Sequence, residues 1–126
     1  MAPIYLHLSS TDSINIHPEN NYSDFTVELS ESLDKRFKIC LTEFHCETLH
    51  EHLFVFCDVI ESSFLQNKDL PLLRIVRKVG EFQHLQFHYS SRRSIHRIRI
   101  FLTNEKLEVP LQNTGKITCT LMLVPY

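Results

Sequence analysis

Four side chains able to bind a soft divalent metal fall within eight residues: His45, Cys46, His50 and His52. Imidazole and thiolate are ordinary zinc ligands, but this spacing lacks the second cysteine pair and the H-x3-H set of a finger. On a strand His50 and His52 would share a face, while His45 and Cys46 would oppose each other. The cluster therefore reads first as a polar loop or strand edge and second as a structural metal site. A basic constellation follows it. Arg74, Arg77, Lys78, Arg92, Arg93, Arg97 and Arg99 are opposed between positions 74 and 99 only by Glu81, with Phe82, Phe87 and Tyr89 interleaved. Arginines among aromatics suit a solvated strand face, an acid-seeking contact with another subunit, or phosphate contact and base stacking on nucleic acid. The solvated face ranks first here and nucleic acid last.

Enzymatic chemistry has less to work with. Serine, histidine and aspartate are plentiful, but there is no G-x-S-x-G nucleophile elbow, and His50-Glu51-His52 is H-E-H rather than H-E-x-x-H. The only glycines are Gly80 and Gly115, so no Gly-rich phosphate loop exists. The expectation is a protein that is not an enzyme, with no catalytic residues and no cofactor. Eight histidines could make a pH-sensitive interface. Ordinary half-buried polar positions are the preferred account of them.

The elements that must position these groups are strands. Phe25, Val27 and Leu29 alternate with Asp24, Thr26 and Glu28, and Ile117, Cys119, Leu121 and Leu123 repeat the pattern near the C-terminal end. Ile4, Leu6 and Leu8 alternate with Tyr5 and His7, and Ile98, Ile100 and Leu102 with Arg97, Arg99 and Phe101. Segments 37–44, 53–60 and 72–79 are more uniformly apolar and read as strands covered on both faces; 82–89, rich in Phe, His and Tyr, is an eighth candidate. Turn residues separate most of these runs, including 17–21, 66–69 and 113–115. Glu43–His52 and Ser30–Asp34 could each carry one helical turn. Eight antiparallel strands in 126 residues predict one all-β domain over 1–126, a β-sandwich of jelly-roll type.

Charge is divided along the chain. Residues 1–73 hold 12 acids and 4 Lys/Arg, whereas 74–126 hold 3 acids and 9 Lys/Arg. Such asymmetry suits head-to-tail association, unless the fold interleaves the two halves and mixes the charges. Cys40, Cys57 and Cys119 lie in apolar runs and read as small buried hydrophobes. No C-x-x-C pair, secretory signal or membrane-length apolar run is present, so free thiols in a reduced intracellular setting are expected, with no membrane contact.

Five stretches, in order along nearly the whole chain, resemble a known pattern. They are the opening Tyr5–Ser10 followed by 16–29 with its Pro18-Glu19-Asn20-Asn21 and Ser23-Asp24-Phe25-Thr26; Phe37–Phe44; Leu53–Ile60; Pro71–Val76; and Gly115–Leu121. The set is similar to a family of uncharacterised proteins of polinton (maverick) DNA elements and related adenovirus-like viruses. This chain departs from the family at Phe37, which replaces a tryptophan, at Leu121-Met122-Leu123, which replaces L-H-F, and at Asn104-Glu105-Lys106, which replaces a more Gly-bearing turn. The resemblance implies a virion structural component, a jelly-roll capsid, vertex or spike subunit, located in the virion and in the host-cell interior during assembly. Its partners would be copies of itself, as trimer or pentamer, and other virion proteins. The interface expected on this reading sets Arg92, Arg93, Arg97 and Arg99 against Glu43, Glu47 and Glu51 of a neighbour. The competing reading is a monomeric β-sandwich module that binds a host protein, glycan or nucleic acid.

Overall fold

Inward and outward residues sort along the strands as the alternation requires. The computed structural model describes residues 2–49, 51–110 and 114–126. Among them are eleven strands and no helix: β1 (Ile4–Ser9), β2 (Asp24–Leu33), β3 (Phe37–His45), β4 (Leu53–Cys57), β5 (Ser63–Leu65), β6 (Lys68–Leu70), β7 (Leu72–Val76), β8 (Gly80–Glu81), β9 (His88–Tyr89), β10 (Ile95–Thr103) and β11 (Thr118–Pro125). The fold is all-β, and every pairing between strands is antiparallel.

Two sheets carry the molecule. The first has the order β1-β11-β3-β8, with β9 also pairing β3; the second has the order β2-β10-β4-β7. One continuous apolar cluster joins them. Leu8, Ile39, Leu41, Phe44, Cys119, Leu121 and Leu123 come from the first sheet and Phe25, Val27, Val55, Cys57, Leu73, Ile98, Ile100 and Leu102 from the second. The exposed area, 7362 Å², is close to the roughly 7,000 Å² that area scaling gives for a folded chain of this mass. β4 is buried at all five positions, as its unbroken apolar run implies. Phe54 and Phe56 are buried although their register opposite Thr103 and Phe101 turns them away from the shared interior.

Three sequence expectations change. Segment 82–89 is not one strand. β8 pairs Glu43 and Phe44 of β3, β9 pairs Lys38 and Ile39, and between them Phe82 N–H still donates to Thr42 O (2.9 Å) before the chain leaves the ladder. Cys40 of β3, opposite Met122 of β11, has 0% exposure. Turn residues Gln66 and Asn67 close a short hairpin, β5–β6, with both at positive φ (49° and 65°), as a type I′ turn requires. Neither of the two suggested helical turns is present among the described residues. Residues 30–33 extend β2, and 43–45 extend β3 before the chain crosses to the second sheet.

Sheet edges are handled by side chains. The free edge of β2 is occupied by the loop before it: Thr26 N–H donates to Asn20 Oδ1 (3.0 Å), Asn20 Nδ2 donates to Thr26 O (2.9 Å) and Asp12 O (2.9 Å), and Glu28 N–H donates to Ser13 Oγ (3.0 Å). Asn21 does the same at Asp24, accepting its N–H at Oδ1 and donating its own N–H to Asp24 O, both at 3.0 Å. The loop thus stands in for a neighbouring strand, which keeps this edge from pairing with another chain. Across the molecule, Glu61 N–H closes Tyr89 O (2.9 Å), and His88 Nε2 closes Leu73 O (2.8 Å).

Candidate functional site

The crossover between sheets separates His45 from His52. His45 ends β3 in the first sheet, and His52 precedes β4 in the second. His45 Nε2 bonds Glu43 Oε2 (3.0 Å), and His52 Nδ1 bonds Glu105 Oε1 (2.8 Å). Cys46 is half-buried, with its thiol donating to Thr48 O (3.5 Å) and burial raising its pKa. His50 lies outside the described residues. Among the described residues no three His, Cys, Asp or Glu side chains converge on a point where a metal could sit.

Three residues of the basic stretch, Arg92, Arg97 and Arg99, lie beside acids of the same chain, whereas Arg74 lies over the Phe82 ring and donates to His84 O (2.7 Å). Arg99 makes a two-pronged bond to Asp24, Nε to Oδ1 at 2.9 Å and Nη2 to Oδ2 at 2.7 Å, and its guanidinium lies 4.6 Å from the ring centre of Phe101. Phe101, which alternates with the inward residues of β10, is half-buried and stacks on Phe56 with ring centres 4.9 Å apart. Asp58 accepts the Arg99 N–H (2.9 Å) and faces Arg92 Nη2 (3.5 Å). Arg97 Nε lies 3.8 Å from Glu28, which also accepts from His17 Nε2 (2.8 Å). The register of β2 against β10 places the acidic and basic alternations side by side, so the interleaved reading of the charge division holds here. Arg93 is exposed and has no ion-pair partner among the described residues.

The acids expected opposite these arginines lie elsewhere. Glu43 is on the outer surface of the first sheet, beside His45. Glu47 is exposed in the crossover and packs against Gly115, whose positive φ (72°) and proximity to the Glu47 side chain leave no room for a Cβ. Glu51 follows in the same crossover. Arg92, Arg97 and Arg99 therefore find Asp58, Glu28 and Asp24 within the chain. Any meeting with Glu43, Glu47 and Glu51 would be between copies.

Glu28 and Asp34 give this surface a pH dependence. The hydrogen bond from His17, aided by Arg97, holds the Glu28 carboxyl below the usual range, and hydrogen bonds from Ser94 and Ser32 do the same for Asp34. A carboxyl whose pKa is depressed on folding contributes stability above its unfolded value and loses it as pH falls through the folded value. The thermal midpoint is expected to drop as pH falls below about 4.3. Glu28→Gln should flatten that drop in a melting series from pH 7 to pH 3. An unchanged profile in the variant would remove Glu28 from this role.

Nucleophilic chemistry finds little support in the thiols. Burial raises all four, Cys57 to about 12 and Cys119 further still, so none is poised as a thiolate. His7 Nδ1 contacts Thr120 Oγ1 (3.1 Å), but no acid orients the His7 ring among the described residues. A groove of about 380 Å³ runs over the outer surface of the first sheet between Tyr5, His7, Glu43, Phe82 and Leu85. No helix among the described residues is long and apolar enough to cross a membrane. The chain matches no protein-family model and no curated protein.

Proposed function

We propose that this chain is a non-enzymatic structural subunit of jelly-roll topology, assembling as a capsid, vertex or spike component of a virus or virus-derived element. The observation that carries the reading is the nesting of strand pairs. β1 pairs β11, β2 pairs β10, β3 pairs β8 and β9, and β4 pairs β7, as in a long hairpin of strands rolled into two sheets. Counting β8 and β9 as one interrupted strand gives eight rolled strands, with β5–β6 inserted at the innermost connection. Jelly rolls of this kind recur in viral shells and in lectins. The ordered resemblance to the polinton and adenovirus-like family favours the shell. A shell subunit needs repeated contacts with itself, in trimers or pentamers, and with other virion proteins.

Of the four arginines 92, 93, 97 and 99, Arg93 alone has no ion-pair partner among the described residues; with Arg92 beside it, its proposed counterparts are Glu43, Glu47 and Glu51 of a neighbour. Light scattering of the wild type and of Arg92→Glu/Arg93→Glu, across a concentration series, tests this. The expected result is a multimeric wild type and a variant reduced to monomer mass with an unchanged melting profile. An unchanged multimer in the variant would reject the assignment. The alternative, a monomeric binding module, draws on the groove beside Tyr5 and Phe82 and predicts monomer mass for both proteins.

A further inference from the structure

The edges of the two sheets are treated unequally. Three of them are closed at least in part by bonds from loops or side chains: β2 by Ser13, Asn20 and Asn21, β9 by Glu61, and β7 by His88. β1 is different. Ser10 N–H donates to Ile117 O (2.9 Å), and β1 pairs β11 in the same continuous register, Ser9 opposite Thr118 through Ile4 opposite Leu123. In an antiparallel ladder the residues that exchange backbone bonds alternate. Leu8, Leu6 and Ile4 therefore bond toward β11, while Ser9, His7 and Tyr5 direct their N–H and C=O out of the sheet. At Ser9 both groups are taken, the N–H by Asp12 Oδ2 (2.8 Å) and the C=O by Asp12 N–H (2.9 Å). At Tyr5 and His7 all four backbone groups lack a partner among the described residues. Residues 2–9 carry no Asp, Glu, Lys or Arg, so the charges that usually discourage edge pairing are missing.

This edge is self-complementary in only one register. Tyr5 opposite Tyr5 of a second copy would put His7 opposite Pro3, which has no N–H. His7 opposite His7 would put Tyr5 opposite Ser9, whose groups Asp12 already holds. With Tyr5 opposite His7 all four groups on each copy are satisfied, and Leu6 faces Leu6 on the two-fold axis. Ile4 and Leu6, half-buried at the rim of the core, would then be covered. Beside Ile4 a further apolar groove of about 280 Å³, lined by Leu33, Phe37 and Pro125, widens the surface that such a neighbour meets.

We infer that β1 pairs antiparallel with β1 of a second copy, Tyr5 opposite His7, joining the two first sheets into one across a two-fold axis. This deepens the assembly reading and rests on it. It supplies an isologous contact, which can link rings built by heterologous contacts.

Amide hydrogen exchange on the wild-type protein across a concentration series, together with oxidation of a Leu6→Cys variant, provides the test. Non-bonded antiparallel partners lie about 4.5 Å apart at Cα, within the range of about 4.4–6.8 Å that disulfides span. The expected results are at least tenfold slower exchange at Tyr5 and His7 as copies associate, and a dimer of Leu6→Cys joined by a disulfide between the two introduced thiols. Tyr5→Pro, which removes an outward N–H without touching the β11 ladder, should weaken association at least tenfold and leave melting unchanged. If Tyr5→Pro fails to fold, the wild-type exchange and the cross-link still decide. Multimers in which Tyr5 and His7 exchange as fast as in the monomer overturn the β1 contact and leave assembly standing. Absence of any multimer overturns both. Slowed exchange that requires an extended segment of a different protein overturns self-pairing.

Discussion

Leu121→Asp is expected to leave no cooperatively folded domain. Leu121 has no exposed area and sits in β11 between Leu6 of β1 and Leu41 of β3, facing the interior shared by the two sheets. Deleting a buried leucine side chain alone costs about 2–5 kcal/mol. Leaving a carboxylate unpaired in that interior adds several more, or forces it to bind a proton. Small domains hold about 5–15 kcal/mol in total. Far-UV circular dichroism and a urea titration would read the result. A Leu121→Asp variant that keeps the wild-type spectrum and a sharp transition would show that β11 does not line the core.

Asn20→Ala is the second large effect, and it acts at an edge. The Asn20 side chain makes three hydrogen bonds, two of them to the backbone of Thr26. At about 1 kcal/mol for each bond, with groups left unsatisfied, the loss is expected to reach about 2–3 kcal/mol. The exposed ladder of β2 then becomes a template for another chain. The urea midpoint should fall, and non-native aggregation should rise with concentration. Asn20→Asp should be no better, because a carboxylate accepts from Thr26 N–H but cannot donate to the two carbonyls. Wild-type stability in Asn20→Ala would mean that water replaces the side chain without cost.

These two residues mark what the sequence makes legible and what it does not. Leu121 could be placed inside from alternation alone, as could Phe25, Val27, Ile98 and Ile100, because a two-residue period maps directly onto the two faces of a strand. The burial of β4 was readable from its unbroken apolar run instead. Asn20 showed only as a turn residue. Its role depends on where the loop returns against β2, and no local pattern encodes that return. The Arg99–Asp24 pair was equally hidden, since 75 positions separate its members and only the β2–β10 register brings them together. His45 and His52, seven positions apart, belong to different sheets and bond different glutamates, Glu43 and Glu105, which the sequence alone could not show. Segment 82–89 had strand composition, but β8 and β9 take the ladder of β3 at two separate places, and between them only Phe82 N–H, among the described residues, bonds to its backbone, at Thr42 O.

The arginine-rich surface shows how position changes the meaning of a charge. Read along the chain, Arg92, Arg93, Arg97 and Arg99 are an unopposed basic stretch. Read across the second sheet, all but Arg93 have an acid of their own chain nearby. Exposed pairs of this kind contribute little stability each, so their arrangement bears more on which surfaces can meet than on whether the domain folds.

Native mass spectrometry of the purified chain, from low to high micromolar concentration, tests the central claim most directly. Assembly predicts closed species at whole multiples of 14.9 kDa that grow with concentration. A single 14.9 kDa species throughout, unchanged by any added shell protein, would contradict it.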